Sequence, residues 1–320
     1  MIRQISVLIT TYNCAQYLNA SIGSILSQSF NNLELIIIDD GSNDNTGEIV
    51  NSFNDPRVKY KLIPHQGRSK ALNIGLDMCS YDWIALMDAD DISLPERLET
   101  QIDFLNNNPD YNVISCWYAV FNSKKVIQIL ELPVDHSEIV NGLNLHSTLC
   151  HPGCIISKKL LNDYRGYRNE PYGVDYDLWL RIKDKALFYN IPEILMLLRS
   201  RKDSLHRNPC REKNAILLIQ RQYFNNNFNR IDRNNSVKSD NDIEGWREWF
   251  YGDKAKARKL WFKEINHSIF DLRILFATIV SFFPTKYFEY IKDMNVKARL
   301  HYIFHLNKKR KKRLNTFIQH

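Results

Sequence analysis

The stretch Leu86-Met87-Asp88-Ala89-Asp90-Asp91-Ile92 decides how the rest of the chain is organised. Residues 82–87 form an apolar run that predicts a short buried strand. After the acidic residues, Pro95 predicts the first position of a helix, with Ser93 or Leu94 as its cap. The acidic residues therefore stand at the carboxyl end of a strand, which is where open α/β sheets bind ligands.

Asp88, Asp90 and Asp91 bring three carboxylates together within four residues. Carboxylates this close repel each other unless a cation lies between them, and hard oxygen ligands suit Mg²⁺ or Mn²⁺, which in turn suit a diphosphate. The stretch thus predicts a metal–diphosphate site. A polar turn at a strand end remains the alternative, because Asp favours turns.

Composition and charge indicate a folded protein with two unlike parts. Hydrophobic residues make up 44% and charged residues 25% of the 320 residues, and the net charge is +7. Residues 245–320 hold 17 Lys and Arg against 6 Asp and Glu, a local balance of +11, whereas the first 244 residues carry −4. A basic C-terminal region on a mildly acidic body predicts contact with an anionic surface.

The sequence also predicts a cytoplasmic location. No cleavage-site pattern follows Met1-Ile2-Arg3-Gln4, and no run of 18 or more apolar residues predicts a membrane span. Six cysteines in mostly apolar surroundings are typical of reduced, buried thiols. Cys150-His151-x-x-Cys154 lacks a second ligand pair at zinc spacing, which disfavours a zinc site.

Strands and helices alternate through the first half of the chain. Apolar and β-branched runs predict strands at 5–10, 33–38 and 57–63, with helices at 14–29, about 43–53 and 71–79. Asn13 is predicted to cap the first helix. This alternation predicts right-handed crossovers and a doubly wound sheet.

Polar residues at the strand ends should face one crevice. Thr10, Tyr12, Asp40 and Asp88 all lie at the carboxyl ends of predicted strands. Asp40 can accept a hydrogen bond from the ring N–H of uracil or thymine, and Tyr12 can stack on a base. A turn carboxylate and a packing aromatic are the alternatives for these two. The chain has no G-x-G-x-x-G after the first strand and no G-x-x-x-x-G-K-[ST], which argues against dinucleotide enzymes and P-loop kinases.

Four motifs in chain order resemble the family 2 glycosyltransferases of the GT-A fold. They are Ser6-Val7-Leu8-Ile9-Thr10-Thr11-Tyr12-Asn13, Ile36-Ile37-Ile38-Asp39-Asp40-Gly41-Ser42, Ala71-Leu72-Asn73-x-Gly75 and Asp88-Ala89-Asp90-Asp91. The resemblance, over residues 5 to about 205, implies an α/β fold with a GT-A doubly wound mixed sheet in a catalytic domain of residues 1–207. Residues 1–92 are its Rossmann-like nucleotide-sugar-binding half and residues 93–207 its acceptor half. Residues 208–320 are predicted to form a helical, basic appendage.

The resemblance also implies an inverting sugar transfer from a nucleotide-diphosphate sugar. It implies a nucleotide pocket lined by Thr10, Tyr12, Asp40, Arg68 and Asp88. Asp90, with Asp88 in the shell around it, is expected to bind the Mn²⁺ or Mg²⁺ that bridges the diphosphate. For Arg68 and its neighbour Lys70, solvated turn charges remain the alternative.

Gly173-Val174-Asp175-Tyr176-Asp177-Leu178-Trp179-Leu180-Arg181 resembles the family's Glu-Asp-Tyr-Asp-Leu-Trp-Leu-Arg segment, with Val174 in place of Glu. The resemblance makes Asp175 the general base, since inversion needs a carboxylate that takes the proton of the acceptor hydroxyl. A helix-cap carboxylate is the alternative. Asp177 and Arg181, four residues apart, predict a helix ion pair.

Two further segments match parts of the family pattern. Residues 194–204 resemble the closing Tyr-Arg-x-His segment, with Leu198 in place of Tyr and Arg201 in place of His. Arg201 is therefore a candidate to meet phosphate directly. His151, in a His-Pro segment typical of the family, is expected to be a buried structural histidine rather than a ligand.

The C-terminal region predicts a peripheral membrane anchor at the inner face of the cell membrane. Residues 272–283 are largely apolar and suit an interfacial helix, and Lys308-Lys309-Arg310-Lys311-Lys312-Arg313 adds a basic cluster. A core helix with a solubilising tail is the alternative. Nucleic-acid binding is not predicted, because no recognition motif accompanies the basic residues.

The sequence thus predicts a metal-dependent glycosyltransferase, of the hexosyltransferase class, that moves a sugar from a UDP- or dTDP-sugar. The expected acceptor is a hydroxyl of a glycan or lipid-linked glycan in surface-polysaccharide biosynthesis, such as O-antigen or capsule. A non-catalytic nucleotide-sugar-binding or scaffolding protein of the same fold is the alternative. A sugar-nucleotide pyrophosphorylase would need a glycine- and lysine-rich loop where Thr11-Tyr12-Asn13 stands.

Overall fold

The computed structural model describes residues 1–122, 125–144, 146–169 and 173–201, then 216, 218–220, 222–223 and 254–265. The chain divides into two units, residues 1–122 with 126–207, and residues 123–125 with 208–320. The predicted apolar helix at 272–283 and the basic cluster at 308–313 lie outside the described residues.

The first unit alternates strands and helices through its first half, as its apolar periodicity predicts. Its strands are β1 (Ile5–Thr11), β2 (Leu33–Asp39), β3 (Val58–Leu62), β4 (Trp83–Asp88), β5 (Ile92–Ser93), β6 (Val113–Phe121), β7 (Val126–Leu130), β8 (Ile155–Ser157) and β9 (Phe188–Arg199). Its helices are α1 (Ala15–Leu26), α2 (Thr46–Ser52), α3 (Arg68–Met78), α4 (Arg97–Asn107), α5 (His136–Leu143), α6 (Lys158–Asp163) and α7 (Val174–Ile182). In the second unit, Lys254–Ile265 forms α8.

All nine strands join one mixed sheet in the order β3-β2-β1-β4-β8-β6-β9-β5, with β7 paired to β6. Strands β3, β2, β1 and β4 are mutually parallel, and β8 then runs antiparallel to β4 and β6. Strand β9 is parallel to β6 and antiparallel to β5. The predicted fold class, an α/β fold with a doubly wound mixed sheet, is confirmed, and the four strands of its first half are mutually parallel.

The central parallel strands β1 and β2 are buried on both faces, whereas the edge strand β3 is partly exposed. Because successive side chains alternate across a strand, Ile5, Val7 and Ile9 of β1 share one core with buried residues of α1 and α4. Leu8 points to the other face, where α3 packs. A Cβ on Gly75 of α3 would overlap Leu8 and lie 3.1 Å from Cγ1 of Ile38, so only glycine allows this approach.

Two helix starts differ from their predictions. Asn13 does not cap α1; Cys14 is the N-cap residue, and the Asn13 carboxamide accepts from the Asn43 N–H at 2.8 Å instead. Asp44 accepts from the N–H of Ala15 at 3.0 Å and so takes over the capping role across the chain.

Helix α4 begins later than its proline predicts. Its N-cap is Glu96, because Ile92 and Ser93 pair as strand β5 with Leu197 and Met196 of β9. This pairing joins segments far apart in sequence and leaves no local signal. Among the described residues, no helix is long and apolar enough to cross a membrane.

Candidate active site

The parallel strands bring their carboxyl ends to one edge of the sheet. Thr10 of β1 lies beside Asp88 of β4 on one side and Ile38 of β2 on the other. The N–H of Asp40 donates to the carbonyl oxygen of Thr11 at 2.9 Å, which fixes the loop after β2 against β1. The predicted residues Thr10, Asp40 and Asp88 therefore share this edge.

The acidic stretch forms a tight cluster just beyond β4. Asp88, Asp90 and Asp91 each place a carboxylate oxygen within 4.8 Å of the others, and no other cluster of potential metal ligands occurs in the described part of the chain. Burial, then repulsion from Asp88, raises the pKa of Asp90. Burial, then Asp90 and Asp88, raises the pKa of Asp91 more strongly. The cluster therefore carries negative charge that a cation would stabilise.

The three carboxylates are not equivalent. Asp91 is buried, and its Oδ1 accepts from the N–H of Arg199 at 2.8 Å, so it fixes the end of β9. Asp88 and Asp90 are half-buried and point towards arginines. Of the three, Asp88 and Asp90 are thus better placed to bind a ligand from solution.

Two arginines pair with these carboxylates. Nη2 of Arg68 lies 2.7 Å from Oδ1 of Asp88, and Nε of Arg201 lies 3.0 Å from Oδ2 of Asp90. Asp88 is the main cause that raises the pKa of Arg68, and Asp175 and Asp90 add to it. Asp88, Asp90, Asp175 and Arg68 therefore interact at one site.

Asp175 lies in the first turn of α7, as its sequence context predicts. The helix is held by the predicted Asp177–Arg181 ion pair, at 2.8 Å. Arg181 also donates to the carbonyl oxygens of Tyr164 and Gly166 at 2.7 and 2.6 Å. This network ties α7 to the preceding loop and fixes the backbone that carries Asp175.

His151 is buried, as predicted, but it also borders the charged residues. Its Nε2 lies 2.9 Å from the Tyr167 hydroxyl and its Nδ1 lies 3.4 Å from Nη2 of Arg68. Burial, reinforced by the Arg68 charge, lowers the pKa of His151 to about 4, although Asp175 and Asp88 oppose the shift. The imidazole is therefore neutral at physiological pH.

Tyr167 is a residue that sequence reasoning did not assign to the site. Asn73 of α3 holds it through both backbone groups, each at 2.8 Å. The sequence signal for this contact is the preceding Gly166. It has a φ of +61°, and a Cβ added to it would overlap the Asn73 carboxamide. The motif residue Asn73 thus has a structural task, which is to position Tyr167 beside His151.

Tyr12 and Asp40 are connected through the loop before α3. Tyr12 is 45% exposed and stacks on His65, with ring centroids 4.2 Å apart. Asp40 is buried and accepts from the N–H groups of Gln66 and Gly67 at 2.8 and 2.9 Å, and Nδ1 of His65 lies 2.9 Å from its Oδ2. Asp40 therefore organises this loop, whatever else it binds. Lys70 is exposed.

The cysteines fit the prediction of reduced thiols. Cys14, Cys79, Cys116, Cys150 and Cys154 are free and buried, while Cys210 lies outside the described residues.

Comparison with known proteins assigns this arrangement to a family. Residues 6–165 match the family model described as Glycosyl transferase family 2. EpsE of Bacillus subtilis is 35% identical over 229 residues, which are 68% of this chain and 81% of EpsE. The O-antigen biosynthesis glycosyltransferase WbnJ of Escherichia coli is 32% identical over 213 residues, which are 64% of this chain and 82% of WbnJ.

Solved structures share the fold at low sequence identity. S. aureus TarS 1–349 in complex with UDP-GlcNAc superposes with a TM-score of 0.58 at 17% identity, covering 87% of this chain and 89% of TarS 1–349. The mannosyltransferase PcManGT from Pyrobaculum calidifontis, in complex with GDP-Man and Mn²⁺, gives 0.54 at 15% identity, covering 87% and 83%. The chain therefore belongs to glycosyl transferase family 2 and has the GT-A fold.

Proposed function

We propose that the chain transfers a sugar, with inversion, from a UDP- or dTDP-sugar to a hydroxyl of a glycan or lipid-linked glycan acceptor in surface-polysaccharide biosynthesis. The transfer depends on Mn²⁺ or Mg²⁺, and the sugar is a hexose or hexose derivative. The observation that carries the proposal is the cluster of Asp88, Asp90 and Asp91, whose carboxylate oxygens lie within 4.8 Å of one another, with Arg68 paired to Asp88 at 2.7 Å. Asp88, Asp90 and the distant Asp175 all raise the pKa of Arg68, which supports a shared site.

The residues present suit a divalent cation. Asp88 and Asp90 offer half-buried carboxylates close together, and repulsion between them contributes to the raised pKa of Asp90. We assign metal binding to Asp90, with Asp88 beside it. When bound, the metal supplies positive charge that stabilises the departing diphosphate. PcManGT, with Mn²⁺ and GDP-Man bound, supports this cofactor class.

The other side chains divide the remaining tasks. Asp175 takes the proton from the acceptor hydroxyl as the new glycosidic bond forms. Arg68, next to Asp88, offers its guanidinium to the nucleotide diphosphate. Thr10, Tyr12 and Asp40 form the nucleotide side of the crevice, where the exposed Tyr12 ring offers a stacking surface to the base.

The acceptor class and the location follow from a relative's role and from the C-terminal sequence. WbnJ takes part in O-antigen biosynthesis, which favours a surface-glycan acceptor. The apolar stretch 272–283 and the basic cluster 308–313 favour a cytoplasmic protein at the inner membrane face, although both lie outside the described residues. A lipid-linked acceptor is consistent with that location.

Donor hydrolysis and transfer by single variants test the proposal. Asp175→Asn should lower turnover about 10²–10⁴-fold, because the base is lost, and should leave UDP binding intact. Asp90→Ala should lower both turnover and metal-dependent UDP binding. Asp163→Asn, which removes an exposed carboxylate that pairs with Lys159 on α6, is the matched control and should change neither.

Wild-type turnover in the Asp175→Asn and Asp90→Ala variants would remove the catalytic assignments. A wild-type protein that binds nucleotide sugars but never cleaves them would instead support the non-catalytic alternative. A thermal-shift series with UDP, dTDP and GDP, each with and without Mn²⁺, identifies the base. We expect UDP or dTDP to raise the Tm most, and only with metal.

A further inference from the structure

Each of the two carboxylates that we assign to the metal already faces an arginine. Arg68 pairs with Asp88 from α3, and Arg201 pairs with Asp90 from just beyond β9. The second pair is the more enclosed, since the Arg201 and Asp90 side chains are 20% and 17% exposed, against 39% and 28% for the first pair. Arg201 is therefore the cation most closely associated with the metal carboxylate.

The fold holds Arg201 in this place through its neighbour Arg199. The Arg199 N–H donates to Asp91, and its Nε donates to the carbonyl oxygen of Asp90 at 2.8 Å. Its guanidinium also lies over the rings of Tyr17 and Phe121, 4.7 and 4.4 Å from their centroids. These contacts fix the end of β9 against the acidic turn, so Arg201 is presented to Asp90.

Besides Asp90, Arg201 contacts a thiol and an aromatic ring. Nη1 lies 3.1 Å from Sγ of Cys14, a weak acceptor, and the guanidinium carbon lies 5.6 Å from the Tyr17 ring centroid. Asp90 carries the negative charge that pairs with the guanidinium. A diphosphate beside Asp90 would offer the guanidinium more negative charge than a single carboxylate does.

Arg201 and a divalent cation compete for the same carboxylate. Oxygen ligands bind Mg²⁺ at about 2.0–2.1 Å. A metal on Asp90 would therefore lie close to Nε of Arg201, which is 3.0 Å from Oδ2 of the same carboxylate, and the two cations would repel each other. A diphosphate resolves the conflict, because its oxygens accept the planar guanidinium in a bidentate manner. Metal and diphosphate would then enter together.

We propose that Arg201 stays paired with the Asp90 carboxylate until a nucleoside diphosphate binds. The Arg201 side chain then moves and pairs with the diphosphate instead. Metal binding to Asp90 thereby depends on the nucleotide. This inference rests on the proposed function, and it assigns to Arg201 both an inhibitory contact in the empty site and a binding contact in the filled one. By reciprocity, the metal strengthens diphosphate binding by the same factor.

Mn²⁺ binding to the full chain, followed by the electron paramagnetic resonance signal of the free ion, tests this directly. It is measured with and without UDP. We expect the wild type to bind Mn²⁺ weakly alone and at least about tenfold more tightly with UDP, a coupling within the usual range. Arg201→Gln should bind Mn²⁺ alone about fivefold more tightly and Mn²⁺ with UDP more weakly, so the coupling factor should approach one.

Lys159→Gln is the matched control, because it removes an exposed cation from an ion pair on α6 and should behave as wild type. Arg201→Lys should keep part of the coupling, since it retains the charge without the planar fork. Unchanged Mn²⁺ affinities in Arg201→Gln, or weaker binding of Mn²⁺ alone, would overturn the inference while leaving the proposed function intact. A wild type that binds no Mn²⁺ even with UDP would overturn both.

Discussion

The acidic side chains at the two ends of the parallel strands differ in their surroundings. At the amino end, Glu34 of β2 accepts from the Ser6 hydroxyl, from the backbone and hydroxyl of Ser80, and from Lys59 at 2.6 Å. At the carboxyl end, the cluster of Asp88, Asp90 and Asp91 lies beyond β4. The sheet thus contains one carboxylate held by several donors and one group of neighbouring carboxylates that repel each other.

The pKa shifts express this difference. Burial raises the pKa of Glu34, but hydrogen bonds from Lys59, Ser6 and Ser80 outweigh it and hold the pKa below its ordinary value. Burial raises the pKa of Asp90 and Asp91, and the neighbouring carboxylates raise it further. The comparison teaches that a buried acid held by several hydrogen bonds serves the fold, whereas clustered carboxylates that repel each other, even with arginines beside them, are suited to a ligand cation.

The largest expected effect on stability is at the amino end of the parallel strands, where Glu34 lies. Glu34→Gln replaces an acceptor of several hydrogen bonds and should destabilise the fold by about 2 kcal/mol at neutral pH. Turnover per folded molecule should not change, since Glu34 lies at the opposite end of the strands from the site. Urea denaturation with a parallel activity assay measures both, and Glu99→Gln, at an exposed position on α4, is the control.

The pH dependence of this effect has a definite sign. Because the folded pKa of Glu34 is lowered, its stabilisation is present above the ordinary value of 4.5 and is lost as the pH falls through the folded pKa. The gap between wild type and Glu34→Gln should therefore close in acid. A gap that persists or widens in acid would show that Glu34 stabilises the fold by something other than its charge.

A smaller effect of opposite sign is expected in the acidic cluster. Asp91→Asn keeps the Oδ1 acceptor for the Arg199 N–H but removes a buried charge, and it should stabilise the metal-free protein by about 1 kcal/mol at neutral pH. Denaturation in the presence of EDTA measures it. Asp103→Asn, at an exposed position on α4, should show no gain.

For Asp91 the pH dependence runs the other way. Its folded pKa is raised, so the wild type loses stability as the pH rises from the ordinary value of 3.8 through the folded pKa. The gain of Asp91→Asn should thus be complete above that pKa and absent below 3.8. If Asp91→Asn were less stable than the wild type at neutral pH, the Asp91 charge would stabilise the fold as the Glu34 charge does, which would contradict this comparison.

The sequence predicts the fold well where the signal is local. Apolar runs mark β1, β2 and β4, and their alternation with helices predicts the doubly wound sheet. It fails where contacts are distant. Asn13 resembles a cap, but Asp44 from the loop after β2 bonds to Ala15. The proline of α4 suggests an earlier start, which the pairing of β5 with β9 displaces.

The site shows the same limit. The order of motifs predicts that Asp88, Asp90 and Asp175 belong to one site, and all three raise the pKa of Arg68, while their catalytic and metal-binding roles stay predictions. The partners of these residues have no signal in sequence. Arg201 on Asp90, the backbone donors on Asp40, and Asn73 on Tyr167 all depend on contacts between segments that only the folded chain brings together.

The most direct test of the central claim is anomalous diffraction at the manganese edge from crystals grown with UDP and Mn²⁺. We expect one strong peak in contact with the Asp90 carboxylate and near Asp88, with the diphosphate bound to it and Arg201 turned away from Asp90. A bound UDP with no anomalous peak at Asp90, or a peak elsewhere in the molecule, would contradict the account.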